Sequence, residues 1–287
     1  MTIRGTTQLL GVIGDPVKHS MSPVMHNAAI AALGLDYVYL PLPVTAADLK
    51  AAVEGFRAIG LRGFNITIPH KQAIMPLLAE VSEVAQAIGA VNTVWWNGSG
   101  WSGTNTDAAG FLAPLQSLDR DWSQVTAVVL GNGGASRAVV AACHQLGCRG
   151  VQVAGRSAPK LEAFERSWQG AAPAANLSVH AWKELDWLLP EASLVVNTTP
   201  VGMAPAVEAS PLNAAQIARL PADAVVYDLI YTPRPTQLLH LAAEAGFTTV
   251  DGTEMLVCQG AKALEIWVGQ PPPVAVMRQA LLDCLAA

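Results

Sequence analysis

Short apolar runs alternate with longer stretches of helical periodicity from Leu9 almost to the C-terminus of the 287-residue chain. That alternation restricts the chain to α/β architectures whose parallel sheets carry helices on both faces. Short apolar runs set between helical stretches read as strands of such sheets. In the first block, Leu9–Ile13, Tyr37–Leu40 and Gly63–Ile68 read as strands, and Ser22–Leu33 and Ala46–Ile59 as helices. Ser22 is expected to cap the first helix with Pro23 at its first helical position, and Gly60 to end the second. Lys71–Val84 reads as one helix, or two short ones broken at Pro76. Val91–Trp96 and Trp101–Thr104 read as a hairpin around Asn97–Gly100, and Asp107–Leu118 as a helix.

A second block begins near Val125. Thr126–Leu130 is an apolar strand, Gly131–Gly134 a glycine loop and Ala135–Leu146 a helix. Val151–Ala154 reads as the next strand, Lys160–Trp168 as a helix, and the Ala-rich stretch from Gly170 to Leu177 as a loop. Strands Leu194–Asn197, Val225–Leu229 and Thr248–Val250 follow, with helices such as Gln237–Ala245 between them. Met255–Ala287 is helical apart from Gly269–Pro273. It has no strand of its own, so it must pack on something already built. At roughly 100–200 residues per domain, two domains are expected.

Gly131-Asn132-Gly133-Gly134-Ala135 lies between a strand and a helix. Glycines there permit a tight turn and close backbone approach to a pyrophosphate, and the helix N-terminus offers free N–H groups. Ser136 replaces the third glycine of the usual fingerprint. The strand after this helix ends in Gly155-Arg156-Ser157, with Lys160 following and no acid before Glu162. An NAD enzyme places an acid at this point to hold the ribose hydroxyls. A cation there suits a 2′-phosphate, so NADP(H) is the expected cofactor. Taken without a ligand, the glycines are only a turn and Arg156 an ordinary surface residue.

Composition excludes several other classes. The net charge is −5 and there is no basic run, which argues against a nucleic-acid partner. No run of about 18 or more apolar residues occurs, so no membrane span is expected. Met1–Leu10 lacks the charged-then-apolar plan of a signal peptide. Cys143, Cys148, Cys258 and Cys284 form no C-x-x-C pair and have no His cluster beside them. Neither zinc nor disulfides are expected, and a reducing cytoplasm fits.

The first block also carries small polar residues at strand ends. Ser20 and Ser22 precede a helix; Asn65 and Thr67 share one face of a strand; Asn92 and Thr93 sit inside another; Thr104-Asn105-Thr106-Asp107 leads into a helix. Individually each has a structural explanation: Ser22 and Asp107 as helix caps, Asn65 as a partner for buried backbone. Together, at successive strand ends, they suit a polyhydroxy ligand that needs many oriented hydrogen bonds. Lys71 and Asp107 form a candidate pair. If they meet, the carboxylate orients the ammonium, and Lys71 can donate a proton to an oxygen that gains charge as hydride reaches a ketone carbon. The alternative is a surface salt bridge of little worth.

These stretches resemble the shikimate dehydrogenase family along nearly the whole chain. The resemblance is carried by Gly14-Asp15-Pro16-Val17-Lys18-His19-Ser20-Met21-Ser22-Pro23 with His26-Asn27, and by Phe64-Asn65-Ile66-Thr67-Ile68-Pro69-His70-Lys71. Gly89-Ala90-Val91-Asn92-Thr93 and Gly103-Thr104-Asn105-Thr106-Asp107 continue it. The glycine loop, Asn197-Thr198-Thr199-Pro200-Val201-Gly202-Met203, Tyr231-Thr232-Pro233 with Thr236, and Met255-Leu256-Val257-Cys258-Gln259 complete it.

The resemblance implies a substrate domain over 1–107 and 254–287 and a Rossmann-type NADP domain over 108–253, with the C-terminal helices returning to the first domain. It implies reversible reduction of 3-dehydroshikimate to shikimate with NADPH, in aromatic amino-acid biosynthesis and without a metal. Lys71 and Asp107 would be catalytic. Ser20, Ser22, Asn65, Thr67, Lys71, Asn92, Asp107, Tyr231 and Gln259 would hold substrate. Gly131, Asn132, Gly133, Gly134, Ala135, Arg156, Ser157, Lys160, Thr198, Met203, Ile230 and Gly252 would line the cofactor. Many family members have Asn-Arg-Thr where this chain has Gly155-Arg156-Ser157, so one adenine-side contact is expected to be lost. The competing readings are an NAD-using quinate/shikimate dehydrogenase, a methylene-tetrahydrofolate dehydrogenase and a catalytically silent binding protein of the same fold. The sequence leaves the oligomeric state open, a homodimer included.

Overall fold

The computed structural model of the chain describes residues 2–286. The chain forms two units: one runs to Gly110 and resumes at Leu256, the other is Phe111–Met255. The divisions fall inside helices, three residues later than 107 and two later than 253.

The first unit begins with β1 (Gln8–Gly14), α1 (Ser22–Ala32), β2 (Tyr37–Pro43), α2 (Leu49–Ala58) and β3 (Leu61–Ile66). Next come β4 (Glu80–Val81), α3 (Glu83–Ile88), β5 (Thr93–Trp96), β6 (Trp101–Thr104) and α4 (Asp107–Gln116). The sheet order is β2-β1-β3-β5-β6-β4. β2, β1 and β3 are parallel, but β5 runs antiparallel to β3 and to β6. An all-parallel sheet is therefore not what forms here. A hairpin closed by the short Asn97–Gly100 turn can only return antiparallel. Asn97 Oδ1 accepts from the Gly100 and Ser99 backbone N–H groups and holds that turn.

Two expectations for this unit fail for local reasons. Ser22 makes no cap bond; Met21 occupies the N-cap position and Ser22 is already helical. Lys71–Val84 is not a helix. A turn follows Pro69, a short 3₁₀ turn covers Met75–Leu77 with Pro76 at its start, and β4 then pairs with β6. The helix comes later, at α3, where Ser82 accepts from Ala85 N and Gly89 takes the left-handed C-cap.

The second unit contains β7 (Thr126–Leu130), α5 (Gly134–Gln145), β8 (Gly150–Gly155), α6 (Ala158–Arg166), β9 (Leu177–Ala181), α7 (Leu185–Leu188) and β10 (Leu194–Asn197). It continues with α8 (Ala214–Ile217), β11 (Val225–Asp228), α9 (Gln237–Glu244) and β12 (Thr248–Val250). All six strands are parallel, in the order β12-β11-β10-β7-β8-β9. From the other edge this is the 3-2-1-4-5-6 order of the dinucleotide-binding fold, with its crevice between the ends of β7 and β10. β9 begins at Leu177, the last residue of the stretch read as a loop, and is not among the expected strands. All five of its residues are only half-buried, and Ser178 and His180 interrupt the apolar run that would have marked a strand.

Helices α10 (Gly252–Val268) and α11 (Val274–Ala286) end the chain. Val257, Ala261 and Leu264 of α10, with Met277 and Leu281 of α11, join one core with Leu10 and Val12 of β1 and Met25, Ala29 and Ile30 of α1. Ile13 points the other way, into a core with Phe56, Phe64 and Trp101. The period-two alternation of β1 thus fills both sides of its sheet. Trp267 Nε1 donates to Val94 O at 2.9 Å, tying α10 to β5. The C-terminal segment has found its support on the first sheet.

Candidate active site

In the first unit, β1 and β3 are adjacent and parallel, and Ser20, Ser22, Thr67 and Lys71 follow their C-terminal ends. Lys71 does not ride on a helix. Its carbonyl accepts from Val91 N at 2.8 Å, and His70 Nε2 is 2.7 Å from Val44 O, so the turn after Pro69 is held from both sides. Lys71 Nζ lies 2.5 Å from Asp107 Oδ2. The two side chains are 19% and 9% exposed, so water reaches the pair without surrounding it. A pair this shielded is not the solvated surface bridge of the bland reading.

Asp107 is held rather than free to swing. Its Oδ1 accepts from Asn92 Nδ2 at 2.8 Å and its N–H donates to Asn105 Oδ1 at 3.0 Å. Asn105 Nδ2 in turn donates to Ala90 O. Asn92 Oδ1 accepts from Thr106 N at 2.7 Å, and Asn92 Nδ2 also lies 2.9 Å from Thr106 Oγ1 and 3.3 Å from Gln259 Oε1. Asn65 Nδ2 reaches Asn92 O and Thr93 Oγ1. Its Oδ1 accepts from the buried Tyr39 hydroxyl at 2.7 Å.

Lys71, Asp107, Asn92, Asn65 and Gln259 thus belong to one buried network, although Gln259 is far away in sequence. Ser22 joins through Tyr39: burial raises the tyrosine pKa well above its ordinary value, and a hydrogen bond from the Ser22 side chain opposes that rise. Ser20 Oγ accepts from Ser22 N at 3.3 Å. Tyr231 lies in the second unit, half-buried, with its hydroxyl pKa raised by burial. Sequence reasoning missed Tyr39 as a member of the network, and it singled out Thr106 only as part of the polar stretch 104–107. Tyr39 reads as one more apolar position of a buried strand, and only its partner shows that its hydroxyl is used.

In the second unit the glycine loop sits where β7 and β10 diverge. Gly131 has φ +102°, and a Cβ there would lie 2.9 Å from Thr198 Oγ1, which itself donates to Leu130 O. Side chains at Gly133 and Gly134 would meet nothing within 4 Å, so open space faces the N-terminus of α5. Ser136, at the position of the usual third glycine, donates its Oγ–H to Gly133 O at 2.6 Å and braces the loop. Asn132 Nδ2 is buried without a partner among the described residues. Arg156 and Lys160 are exposed at the end of β8, and neither makes an ion pair among the described residues. An open cradle, an unused amide donor, a helix N-terminus and two unpaired cations fit a dinucleotide bearing a 2′-phosphate.

A doubly wound sheet with this cradle, in one chain with an α/β unit carrying a shielded Lys–Asp pair, defines a two-domain dinucleotide-binding protein. Residues 12–94 match the family description "Shikimate dehydrogenase substrate binding domain" and residues 252–282 match "Shikimate 5'-dehydrogenase C-terminal domain". A Microcystis aeruginosa protein named shikimate dehydrogenase (NADP(+)) is 58% identical over 280 residues, covering 98% of each chain. The Aquifex aeolicus shikimate dehydrogenase structure superposes with a TM-score of 0.87 at 39% identity, covering 98% of this chain and 99% of that one. A Thermus thermophilus shikimate 5-dehydrogenase in complex with NADP(H) and shikimate gives 0.83 at 34%, covering 97% and 100%. The chain belongs to the shikimate dehydrogenase family.

Proposed function

We infer that this chain catalyses the reversible NADPH-dependent reduction of 3-dehydroshikimate to shikimate, a step of aromatic amino-acid biosynthesis. The observation that carries the reading is the Lys71–Asp107 pair, 2.5 Å apart and shielded within a network of amides and hydroxyls. The first unit, completed by the C-terminal helices, is the substrate domain, and the Rossmann-type unit is the NADP(H) domain.

NADPH, when bound, supplies the hydride for the ketone carbon. Asn132, Gly133, Gly134 and Ala135 would hold its pyrophosphate through backbone N–H groups and the Asn132 amide, while Gly131, whose own N–H donates to Ala154 O, makes the turn that lets them do so. Arg156, Ser157 and Lys160 take the 2′-phosphate, and Thr198, Met203, Ile230 and Gly252 line the nicotinamide side. Lys71 gives a proton to the oxygen that gains negative charge and, in the oxidative direction, takes it back as a neutral amine. Asp107 aims the ammonium and is itself immobilised by Asn92 and Asn105.

Ser20, Ser22, Thr67, Gln259 and Tyr231 bond the hydroxyls and carboxylate of the substrate. Asn65 has both amide hydrogens engaged by Asn92 O and Thr93 Oγ1, so it offers the substrate only the second lone pair of Oδ1. Asn92 is similarly engaged and serves chiefly to shape the site. Among the described residues no helix is long and apolar enough to cross a membrane. The reaction is assigned to the cytoplasm, and a homodimer is the assembly to test by light scattering.

The deciding experiment follows nicotinamide absorbance with purified protein, shikimate or quinate, and NADP⁺ or NAD⁺. Reduction with shikimate and NADP⁺ alone is expected. Equal rates with NAD⁺ or quinate would move the assignment to the broader quinate/shikimate class. No turnover in folded protein with any pair would overturn it.

A further inference from the structure

Asn197 and Asp228 are the last residues of β10 and β11, and they are register partners in the sheet. Neither is exposed at all. Asp228 Oδ1 accepts from Asn197 Nδ2 at 3.0 Å and from Ile230 N at 3.1 Å, and Oδ2 accepts from Thr236 Oγ1 at 2.8 Å. Asn197 Oδ1 accepts from the Thr199 N–H and hydroxyl, while its amide also reaches Val201 O. The pair therefore joins two turns, 198–203 and 229–236.

Those turns also touch each other. A Cβ at Gly202 would lie 3.6 Å from Ile230 Cδ1. Ile230 O accepts from Gly252 N, and a Cβ at Gly252 would fall 2.1 Å from Leu229 O, so only glycine fits there. The turn bearing Ile230 is thus held by the carboxylate directly, the turn bearing Met203 through Asn197, and Gly252 through its bond to Ile230 O.

Asp228 makes no ion pair among the described residues; the neighbouring Arg234 pairs with Asp251 instead. Burial raises the Asp228 pKa to about 6, opposed by the Ile230 N–H, the Thr236 hydroxyl and the Asn197 amide and reinforced by the Asp251 charge. A buried carboxylate without a cation is costly, and an apolar residue would pack there at lower cost. What an apolar residue lacks is two oxygens able to hold three donors, one from Asn197 and two from the 229–236 turn.

We propose that Asp228 is a positioning residue: through Asn197, Ile230 and Thr236 it sets the nicotinamide-side surface of the cofactor site without touching the cofactor. This rests on the reading of the second unit as the NADP(H) domain.

The test titrates the full chain with NADP⁺ and, separately, with 2′,5′-ADP, which carries the adenine side but no nicotinamide. It compares wild type, Asp228→Ala and Asp228→Asn, with kcat measured alongside. In Asp228→Ala the ratio of the NADP⁺ Kd to the 2′,5′-ADP Kd should rise about fivefold or more, the scale of one lost hydrogen bond. Its kcat should fall by roughly 10- to 100-fold, as expected for a misplaced reacting group. Asp228→Asn, whose amide can donate to Thr236 Oγ1, should restore both. An unchanged ratio, or equal weakening of both ligands, overturns the proposal. If Asp228→Ala does not fold, Thr236→Val, which withdraws the Oδ2 donor, must raise the same ratio, and an unchanged ratio there overturns it. Failure of the wild type to bind NADP⁺ would instead sink the functional reading.

Discussion

His26 offers a test of the first unit by pH. Its ring is fully buried, stacked on Tyr39 with centroids 4.1 Å apart and planes 9° apart, and its Nδ1 is 2.8 Å from Ser22 O. Burial lowers its pKa from 6.5 to about 4, with the backbone at Ser22 and Gly260 acting more weakly in the other direction. Between those values the unfolded chain binds a proton that the folded chain refuses. The stability is therefore complete above pH 6.5 and is lost as pH falls toward 4. At about 1.4 kcal/mol per pH unit, that gap amounts to about 3 kcal/mol.

The perturbation is His26→Asn, whose amide can still reach Ser22 O but which does not titrate. Urea unfolding of both proteins across pH 4 to 7.5 isolates the imidazole, because every other titrating group is common to both. The lost ring costs the variant a pH-independent amount. On top of that, the wild-type advantage should grow by about 3 kcal/mol between pH 4 and 6.5 and then level off. A difference between the two curves that stays flat, or that shrinks as pH rises, would refute the reasoning. The consequence reaches the site, since the Tyr39 ring beneath His26 carries the hydroxyl that orients Asn65.

Three further perturbations probe the chemistry. Lys71→Ala should lower kcat by roughly 10²–10⁴-fold, the usual worth of a positioned acid–base group, while the shikimate KM moves far less; steady-state kinetics with near-normal kcat would remove Lys71 from the mechanism. Arg156→Ala should weaken NADP⁺ by about tenfold, the scale of one charge-assisted hydrogen bond, and leave NAD⁺ almost unchanged; calorimetry showing equal losses for both would detach Arg156 from the 2′-phosphate. Gly131→Ala places a side chain at φ +102° and 2.9 Å from Thr198 Oγ1. It should cost about 1–2 kcal/mol or more in thermal unfolding and weaken NADP⁺ further, and a variant as stable as wild type would contradict the loop geometry.

Several features of the site are local chemistry, which is why they could be read from residues in order. The glycine loop needs only a strand before it and a helix after it, and both are marked by apolar periodicity. The cations after β8 sit one strand further along the same unit. The hairpin about Asn97–Gly100 is closed by the side chain of Asn97 itself. Where local signals were weak, the reading slipped: β9 lies at a sheet edge and is only half-buried, and Ser22 stands one residue inside a helix it was expected to cap.

The sequence by itself determined that this is an α/β chain with a glycine loop between a strand and a helix, a cation after the next strand, and a lysine and an aspartate that could form a pair. It could not determine that the two meet. Lys71 and Asp107 are 36 residues apart and Gln259 is 167 residues from Asn92. Contacts over such separations depend on strand order and on where α10 finds apolar surface. The same holds for Tyr39 under Asn65 and for Asp228 beneath the two turns. A buried side chain's polar work is defined by the partner that packing brings to it, and only the tertiary structure supplies that partner.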